Sequence, residues 1–350
     1  MTVSSIPDQV FCADIPNIDI SVDGTRAAVI MTADNEQIYS ETLYPIDGKI
    51  IISDIPDLVH AIVRQKLVVT LNIKITEQTL SSSTNTFVDA SSSILITRVV
   101  YSAASMNIDC STFCNSHFLS ILLGTKTTAS GRLEYLHYLG TDNASCVAEY
   151  SDGSTTPFVP ARVQGNDNYT TIDVSPDRFA VDGKSLIAYM ITAGNRSQYF
   201  ELDLSVPDCA PILLFSNSFG CQELIYCTGE HQVAPSYNRS AAYIDGKYKN
   251  YNIDETRTFK ADSGVLNTAM ANWLDDLFRS DEIYMVNFYK GNPNIGQEVT
   301  ITDSKSENNN APDELPRFTF SYRYSSKNQN IIDLNRAGRI FDNTFDNTFN

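Results

Sequence analysis

Residues 66–76, KLVVTLNIKIT, alternate between apolar and polar side chains with a period of two. The apolar positions are Leu67, Val69, Leu71, Ile73 and Ile75. Because successive side chains of a β-strand point to opposite faces, the alternation places all five on one face and predicts a half-buried strand. Similar runs recur along the chain, which also contains 18 Tyr and 17 Phe but one Trp. Aromatic and β-branched residues favour strands, so the sequence predicts a mainly β fold.

Two segments break this pattern and have helical spacing. In residues 54–65, DIPDLVHAIVRQ, the apolar residues follow one helical face and Asp54 or Asp57 is the predicted N-cap. That face consists of Leu58, Val59, Ile62 and Val63. The clearest helix is predicted at about 265–279, with Asp262 or Ser263 as N-cap. Its apolar stripe consists of Leu266, Met270, Trp273, Leu274, Leu277 and Phe278.

The length of 350 residues suits two or three domains. Short strands separated by turns predict β-sandwich or barrel-like domains with one or two packed short helices. Changes in pattern divide the chain into an N-terminal β domain (1–104), a middle β domain (105–208), a C-terminal β domain (209–335) with the helix at about 265–279, and a C-terminal docking tail (336–350). The middle domain is interpreted as an insertion or peripheral module, or as continuous with the first domain.

The composition restricts the function. With 25 basic and 42 acidic residues, the formal net charge is −17, which disfavours ordinary binding to nucleic acid. No basic region followed by an apolar run opens the chain, and no apolar stretch approaches about 18 residues, so we expect neither a signal peptide nor a membrane span. The seven cysteines are odd in number and scattered, which favours free, mostly buried thiols in a reducing cytoplasm.

Two groups of residues suggest chemistry, and both have a simpler interpretation. Cys110, Cys114 and His117 resemble part of a zinc site that Cys146 or His137 would complete. Since nothing in the sequence brings the fourth ligand close, buried thiols are the favoured interpretation. The sequence therefore predicts no metal.

Cys221 and His231 have the residue types of a nucleophile and its base. Cys221, however, precedes an alternating run, which favours a core cysteine at the start of a strand. Carboxylates are abundant, but no pair is marked out by its spacing; Asp275 and Asp276 are expected on the solvated side of their helix. The chain also contains no P-loop, G-x-G-x-x-G or H-E-x-x-H motif. We therefore predict a protein that is not an enzyme and has no cofactor.

The C-terminal docking tail has an aromatic repeat. Phe341, Phe345 and Phe349 recur every four residues, with Asp-Asn-Thr in both intervals. Since Asp, Asn and Thr are weak helix formers, an extended or turn-like conformation is favoured, and even spacing then places the rings on one face. The repeat predicts docking, either to a neighbouring subunit or to the chain's own body, in preference to a frayed terminus.

Several segments carry a resemblance to a known class of protein. These are residues 11–24 (FCADIPNIDISVDG), 39–59 (YSETLYPIDGKIIISDIPDLV), 266–286 (LNTAMANWLDDLFRSDEIYMV), 299–330 (VTITDSKSENNNAPDELPRFTFSYRYSSKNQN) and 337–350 (AGRIFDNTFDNTFN). Together they resemble tail proteins, of the distal tail or baseplate type, from phages and prophages of gut Bacteroidetes. The resemblance covers both ends of the chain and is weakest between about 105 and 208.

The resemblance implies a virion structural protein that forms a homo-oligomeric ring, six-fold or three-fold, around the DNA channel. It would be made in the bacterial cytoplasm and reside in the virion tail, in contact with other baseplate proteins. Subunit docking is expected at Phe341, Phe345, Phe349 and the helix around Trp273, with a long loop at Ser304–Pro316 reaching a neighbour. A host surface glycan is a further partner that residues 105–208 would bind.

Two alternatives remain open. A glycan-binding adhesin module would present exposed aromatic side chains near carboxylates on one β domain. A cysteine or carboxylate hydrolase ranks last, because no group of residues has a spacing that the chemistry requires.

Overall fold

A computed structural model of the protein describes residues 1–103, 105–165, 169–289, 292–305 and 315–326. The chain forms two compact units. Unit 1 comprises the described residues of Met1–His117 and Ser218–Cys221, and unit 2 comprises those of Phe118–Asn217 and from Gln222 to Ser326. Most of the predicted middle domain (105–208) and C-terminal domain (209–335) thus lies in unit 2. The C-terminal docking tail lies outside the described residues.

Unit 1 consists of eight described strands and two α-helices. They are β1 (Thr2–Val3), β2 (Gln9–Phe11), β3 (Ile18–Ser21), β4 (Arg26–Ala33), β5 (Glu36–Leu43), β6 (Lys49–Ile52), α1 (Ile55–Lys66), β7 (Val68–Leu80), β8 (Phe87–Tyr101) and α2 (Cys110–Ser116), with a 3-10 turn at Cys12–Asp14. One sheet has the order β1-β3-β6 and the other β2-β8-β7-β4-β5. The β2–β8 pair is parallel and the others are antiparallel.

The core of unit 1 contains side chains from both sheets and from α1. Val69, Leu71, Ile73 and Ile75 are at most 1% exposed, which confirms the alternation predicted for this strand. Leu67 does not belong to it, because this residue ends α1 with a φ of 66°. In α1 the buried residues are Ile55, Val59 and Val63, whereas Leu58 is 37% exposed.

Unit 2 contains the remaining elements. They are β9 (Lys126–Thr128), β10 (Tyr135–Leu139), β11 (Ala144–Tyr150), β12 (Thr155–Phe158), β13 (Ala161–Gly165), β14 (Tyr169–Asp173), β15 (Leu186–Ala193), β16 (Arg196–Leu202), β17 (Ile212–Ser216), β18 (Gln222–Tyr226), β19 (His231–Ile244), β20 (Lys247–Asp262), α3 (Thr268–Trp273), α4 (Asp275–Arg279), β21 (Ile283–Tyr289), β22 (Asn292–Lys305) and β23 (Thr319–Tyr324), with a 3-10 turn at Pro176–Phe179.

Three sheets build unit 2. Their orders are β10-β14-β13, β12-β11-β15-β16-β9 and β18-β17-β21-β22-β23-β20-β19. Side chains of the first two sheets share one apolar core, as in a sandwich, while α3 and α4 pack with the seven-stranded sheet around a second core. The predicted mainly β fold with sandwich-like domains and a few short helices is therefore confirmed. Among the described helices, none is both long and apolar enough to cross a membrane.

The local predictions for the helices need correction. The stripe predicted at about 265–279 is buried except for the half-buried Phe278, but the helix starts at Thr268 and is interrupted at Leu274. Its N-cap is Asn267, whose side chain accepts a hydrogen bond from the Met270 amide at 2.8 Å. Asp262 instead accepts hydrogen bonds from Arg317.

Two further details also differ from expectation. Asp276, predicted to be solvated, is 1% exposed. Asp54 occupies the N-cap position of α1, but its side chain makes no capping hydrogen bond.

Candidate interaction surface

The longest hairpin of unit 2 extends beyond its sheet as a two-stranded arm. β19 and β20 pair along their whole length, from His231–Ala261 at the base to Ile244–Lys247 at the tip. On the other side of β20, β23 pairs with Phe259–Asp262 and with no other residue of that strand. β19 is the edge strand of its sheet. Residues 235–257, here called the arm, therefore form a two-stranded ribbon, and no third strand of the described chain pairs with it.

The sequence determines the turn at the tip of the arm. Asp245 and Gly246 connect the strands in two residues and have φ values of 53° and 75°. A tight hairpin of this type needs positive φ at both central positions, which Asp-Gly tolerates well. Pro235, which lacks an amide proton, is accommodated because β19 is an edge strand. The arm is thus encoded locally, although none of the described strands lies beside it.

The arm exposes aromatic and aliphatic side chains. Every residue from 235 to 257 is exposed or half-buried. The exposed fraction is 66% for Tyr243, 81% for Tyr248 and 69% for Tyr251, and it is 54% for Ile253. An isolated two-stranded hairpin is marginally stable in water, and contiguous exposed apolar surface marks interaction sites. The arm therefore has the properties of an unpartnered binding surface.

Tyr243 and Tyr248 form an aromatic pair next to the turn at the tip of the arm. They lie directly opposite each other across the two strands, with ring centroids 5.1 Å apart in an edge-on arrangement. A bulge next to Ser240 and Ala241 leaves Tyr251 outside the regular pairing. Tyrosine combines a large apolar ring with a polar hydroxyl, a combination enriched at interaction hot spots.

The outer part of the arm is basic, although the chain is acidic. Residues 236–252 contain Arg239, Lys247 and Lys249 against Asp245 alone, a net charge of +2, whereas the whole chain carries −17. Lys249 and Asp245 form an exposed ion pair at 3.7 Å, which contributes little to stability. The charge of the arm is therefore available to attract an acidic surface.

Trp273, a predicted docking residue, lies in the core of unit 2. The indole is 0% exposed, and its Nε1 donates a hydrogen bond to Oε2 of Glu223 at 2.6 Å. The Lys126 ammonium lies 4.6 Å from the ring centroid and donates to Glu134 at 2.7 Å. Burial raises the pKa of Glu223. A side chain in this position offers no surface to a neighbouring subunit.

Other predicted contact residues lie outside the described part of the chain. Phe341, Phe345 and Phe349 belong to the C-terminal docking tail, and most of the predicted loop Ser304–Pro316 falls between Lys305 and Leu315. Their docking roles stay predictions.

The structure brings Cys110 and Cys114 of the partial metal site together and packs His117 against an aromatic ring. Cys110 and Cys114 on α2 have sulfur atoms 3.9 Å apart, while His117 stacks on Phe113 with ring centroids 4.8 Å apart. The hydrogen bond with Cys114 and burial both raise the pKa of Cys110. Among the described residues, no three His, Cys, Asp or Glu side chains form a group that could hold a metal ion.

Within unit 2, Cys146 is buried in the core, and His137 bonds with Thr171, Tyr169 and the Gln222 carbonyl.

Cys221 and His231, the candidate nucleophile and base, each take part in packing. Cys221 is 1% exposed. His231 bonds through Nε2 to the Tyr322 hydroxyl at 2.8 Å and stacks against Phe259 and Tyr322. Its ring therefore belongs to the base of the β19–β20 hairpin.

The interaction surface itself was not predicted from the sequence. The signal was nevertheless present, since Asp245-Gly246 stands between two runs that each reach about a dozen residues with few turn-forming residues. Each strand of this hairpin is about twice as long as a typical β-strand. Its tyrosines also lack the alternating apolar residues with which they would form a core face. The length of the two strands and the lack of an apolar face together indicate an arm that extends beyond its sheet.

Fold and surface together define a mainly β protein with an exposed, tyrosine-rich arm. No protein-family model matches the chain, and no curated protein matches it. Several solved structures do. A biofilm-associated protein BSP domain is 10% identical over 58% of this chain and 30% of its own length, with a TM-score of 0.15. The structure of Rst D1-D2 is 6% identical over 58% of this chain and 98% of its own, with a TM-score of 0.23.

The titin I-band fragment I67-I69 is 9% identical, covers 72% of this chain and 89% of its own, and has a TM-score of 0.17. This chain thus spans less than a third of the biofilm-associated structure. With TM-scores this low, none of the three supports a conclusion about function.

Proposed function

We propose that the protein is a non-enzymatic structural component of a phage tail or baseplate, of the distal tail type, that assembles into a ring around the DNA channel. In this proposal it resides in the virion of a phage or prophage of gut Bacteroidetes and contacts other tail proteins. The arm supplies the contact between subunits.

The arm is the observation that carries this proposal. Tyr243, Tyr248 and Tyr251 are exposed, and along most of its length the β19–β20 hairpin has no further strand beside it among the described residues. A partner would shield these rings from water, and burying each would contribute roughly 1.5–3 kcal/mol. A function in which the arm is covered accounts for its length and composition.

Charge favours a second copy of the same chain as the partner. The outer arm carries a net charge of +2 and the complete chain −17, so the arm of one copy is attracted to the acidic surface of another. Heterologous contacts of this kind close into rings when the rotation between neighbours divides a full turn. An acidic ring also suits a channel along which DNA slides without adhering.

Molar mass in solution tests this function. Size-exclusion chromatography with light scattering should give a multiple of 38.8 kDa, and negative-stain images should show closed rings of six-fold or three-fold symmetry. Raised salt should lower the mass, because it screens the attraction between arm and acidic surface. A monomer at every concentration and ionic strength contradicts the proposal.

A glycan-binding module is the second candidate, and the same arm supports it. Sugars stack on exposed aromatic rings and bond to carboxylates, and the arm presents Tyr248 and Tyr251 together with Asp245 and Asp254. This candidate predicts hits on a glycan array that disappear in a Tyr248→Ser, Tyr251→Ser variant. An array without hits removes it.

A further inference from the structure

A second surface feature of unit 2 is a cleft of about 310 Å³. Apolar side chains line much of it, namely Val206, Pro207, Ile212 and Phe288. Its volume is at the lower end for ligand pockets, which span about 300–1,000 Å³. The cleft therefore suits one or two side chains of a peptide better than a large ligand.

Arg132 gives the cleft a cationic group. The residue is 8% exposed and lines the cleft, and its guanidinium lies 5.1 Å from the Tyr226 ring centroid. Nη2 donates to the sulfur of Cys209 at 3.4 Å, and within the described residues no carboxylate lies at ion-pair distance. A guanidinium has five N–H donors, so most of its hydrogen-bonding capacity is available to a ligand.

Two carboxylates lie near Arg132, but neither is at ion-pair distance from its guanidinium. Asp208 is exposed and also lines the cleft, while Asp203 accepts hydrogen bonds from the amide and hydroxyl of Ser205, at 2.9 and 2.6 Å. A ligand with an apolar ring and an adjacent carboxylate would match the apolar lining and the guanidinium together.

We propose that this cleft binds a Phe-Asp pair from the C-terminal docking tail of the same chain. The tail contains this pair twice, as Phe341-Asp342 and Phe345-Asp346. The ring occupies the apolar part of the cleft and the carboxylate pairs with Arg132. The third aromatic residue, Phe349, is followed by Asn350 and lacks the charge.

Chain length permits this contact. The last described residue, Ser326, directly follows β23 in unit 2, which also holds the cleft. Phe341 lies fifteen positions after Ser326, and this length of chain spans about 50 Å when extended. A domain of about 200 residues is roughly 40 Å across. A tethered segment has an effective concentration in the millimolar range, which favours its own chain over a neighbour.

Cys209 provides a native reporter for occupancy of the cleft. It is half-buried and lines the cleft, whereas the other six cysteines are buried. The rate at which N-ethylmaleimide alkylates Cys209 can be followed by mass spectrometry of the full-length protein. Substituting Phe341, Phe345 and Phe349 by Ala should increase this rate at least about tenfold, because the ring no longer covers the thiol.

A matched control changes the same segment without removing its rings. Thr344→Ala with Thr348→Ala should leave the alkylation rate unchanged. Asp342→Asn with Asp346→Asn should raise it by about threefold, since the ring remains but its charged partner is lost. Equal rates in the unaltered protein and the triple Phe variant would overturn the proposal.

Dilution separates this inference from the proposed function. Protection by the same chain is independent of protein concentration, so Cys209 should remain protected across a wide dilution series. Protection that disappears on dilution together with the oligomer overturns the inference, because a neighbouring copy then covers the cleft. A monomer that keeps its protection contradicts the ring and leaves the intramolecular contact in place.

Discussion

Two hairpins of unit 2 use the same local interaction in opposite surroundings. In β15–β16, Tyr189 lies directly opposite Phe200, with stacked rings 4.7 Å apart. In the arm, Tyr243 lies directly opposite Tyr248 at 5.1 Å. Both members of the first pair are 0% exposed, whereas those of the second are 66% and 81% exposed.

The difference comes from the neighbours of each hairpin. β15 pairs with β11 on its outer side and β16 with β9, and the side chains of this sheet share a core with a second sheet. β23 pairs with only four residues of β20, Phe259–Asp262, and these lie at the base of the hairpin, outside the arm. Cross-strand pairs contribute roughly 0.2–1 kcal/mol, so burial and not pairing distinguishes the two. One hairpin stabilises the unit, and the other is available to a partner.

The largest effect is expected from truncating the buried pair. Phe200→Ala should lower the free energy of unfolding by about 3–5 kcal/mol, because it removes a fully buried ring and leaves a cavity. Urea unfolding followed by circular dichroism measures the loss. A decrease below about 1 kcal/mol would mean that the β15–β16 hairpin is no more buried in solution than the arm.

A buried histidine makes the free energy of unfolding depend on pH. Burial lowers the pKa of His137 to about 4, the Gln222 carbonyl opposes this effect, and Lys126 adds to it. The unfolded chain takes up this proton near pH 6.5, so acidification favours unfolding. The contribution of the neutral His137 side chain to the free energy of unfolding is complete above pH 6.5. It falls by about 3 kcal/mol as the pH approaches 4.

A His137→Gln variant isolates that contribution. Its unfolding free energy should lack this component of the decrease between pH 6.5 and 4, while the unaltered protein retains it. Parallel pH profiles for the two proteins would show that the imidazole is accessible to protons in the folded state.

The smallest effect on stability is expected in the arm. Tyr248→Ala should change the free energy of unfolding by less than about 1 kcal/mol, because the ring is 81% exposed and loses one cross-strand contact. The measurement is made on dilute protein, so that assembly does not contribute. A loss comparable to that of Phe200→Ala would erase the distinction between the hairpins.

Sequence periodicity predicted what depends on one strand or one helix at a time. The alternation from Val69 to Ile75 and the stripe from Leu266 to Phe278 are both present in the structure. Periodicity reports which face is apolar but not which strands become neighbours. The strands on either side of Asp47-Gly48, for example, do not pair with each other, since β5 pairs with β4 and β6 with β3.

Contacts between distant segments account for the remaining differences. Trp273 was predicted as a docking residue, but its indole is buried in the core and donates a hydrogen bond to Glu223, 50 residues earlier in the chain. Phe219 belongs to unit 1, where its ring stacks on Phe113 at 5.1 Å. In the arm the tyrosines are exposed because, within the described part of the chain, no third strand lies beside them. No local sequence pattern reports this.

The most direct test of the arm as a subunit contact is the molar mass of an arm variant. Tyr243→Ser, Tyr248→Ser and Tyr251→Ser are combined, and light scattering compares the variant with the unaltered protein at equal concentration. Tyr44→Ser serves as the control, since Tyr44 is 59% exposed and lies in unit 1. We expect multimers for the unaltered protein and the control, and a 38.8 kDa monomer for the arm variant. The same mass in all three would contradict the account.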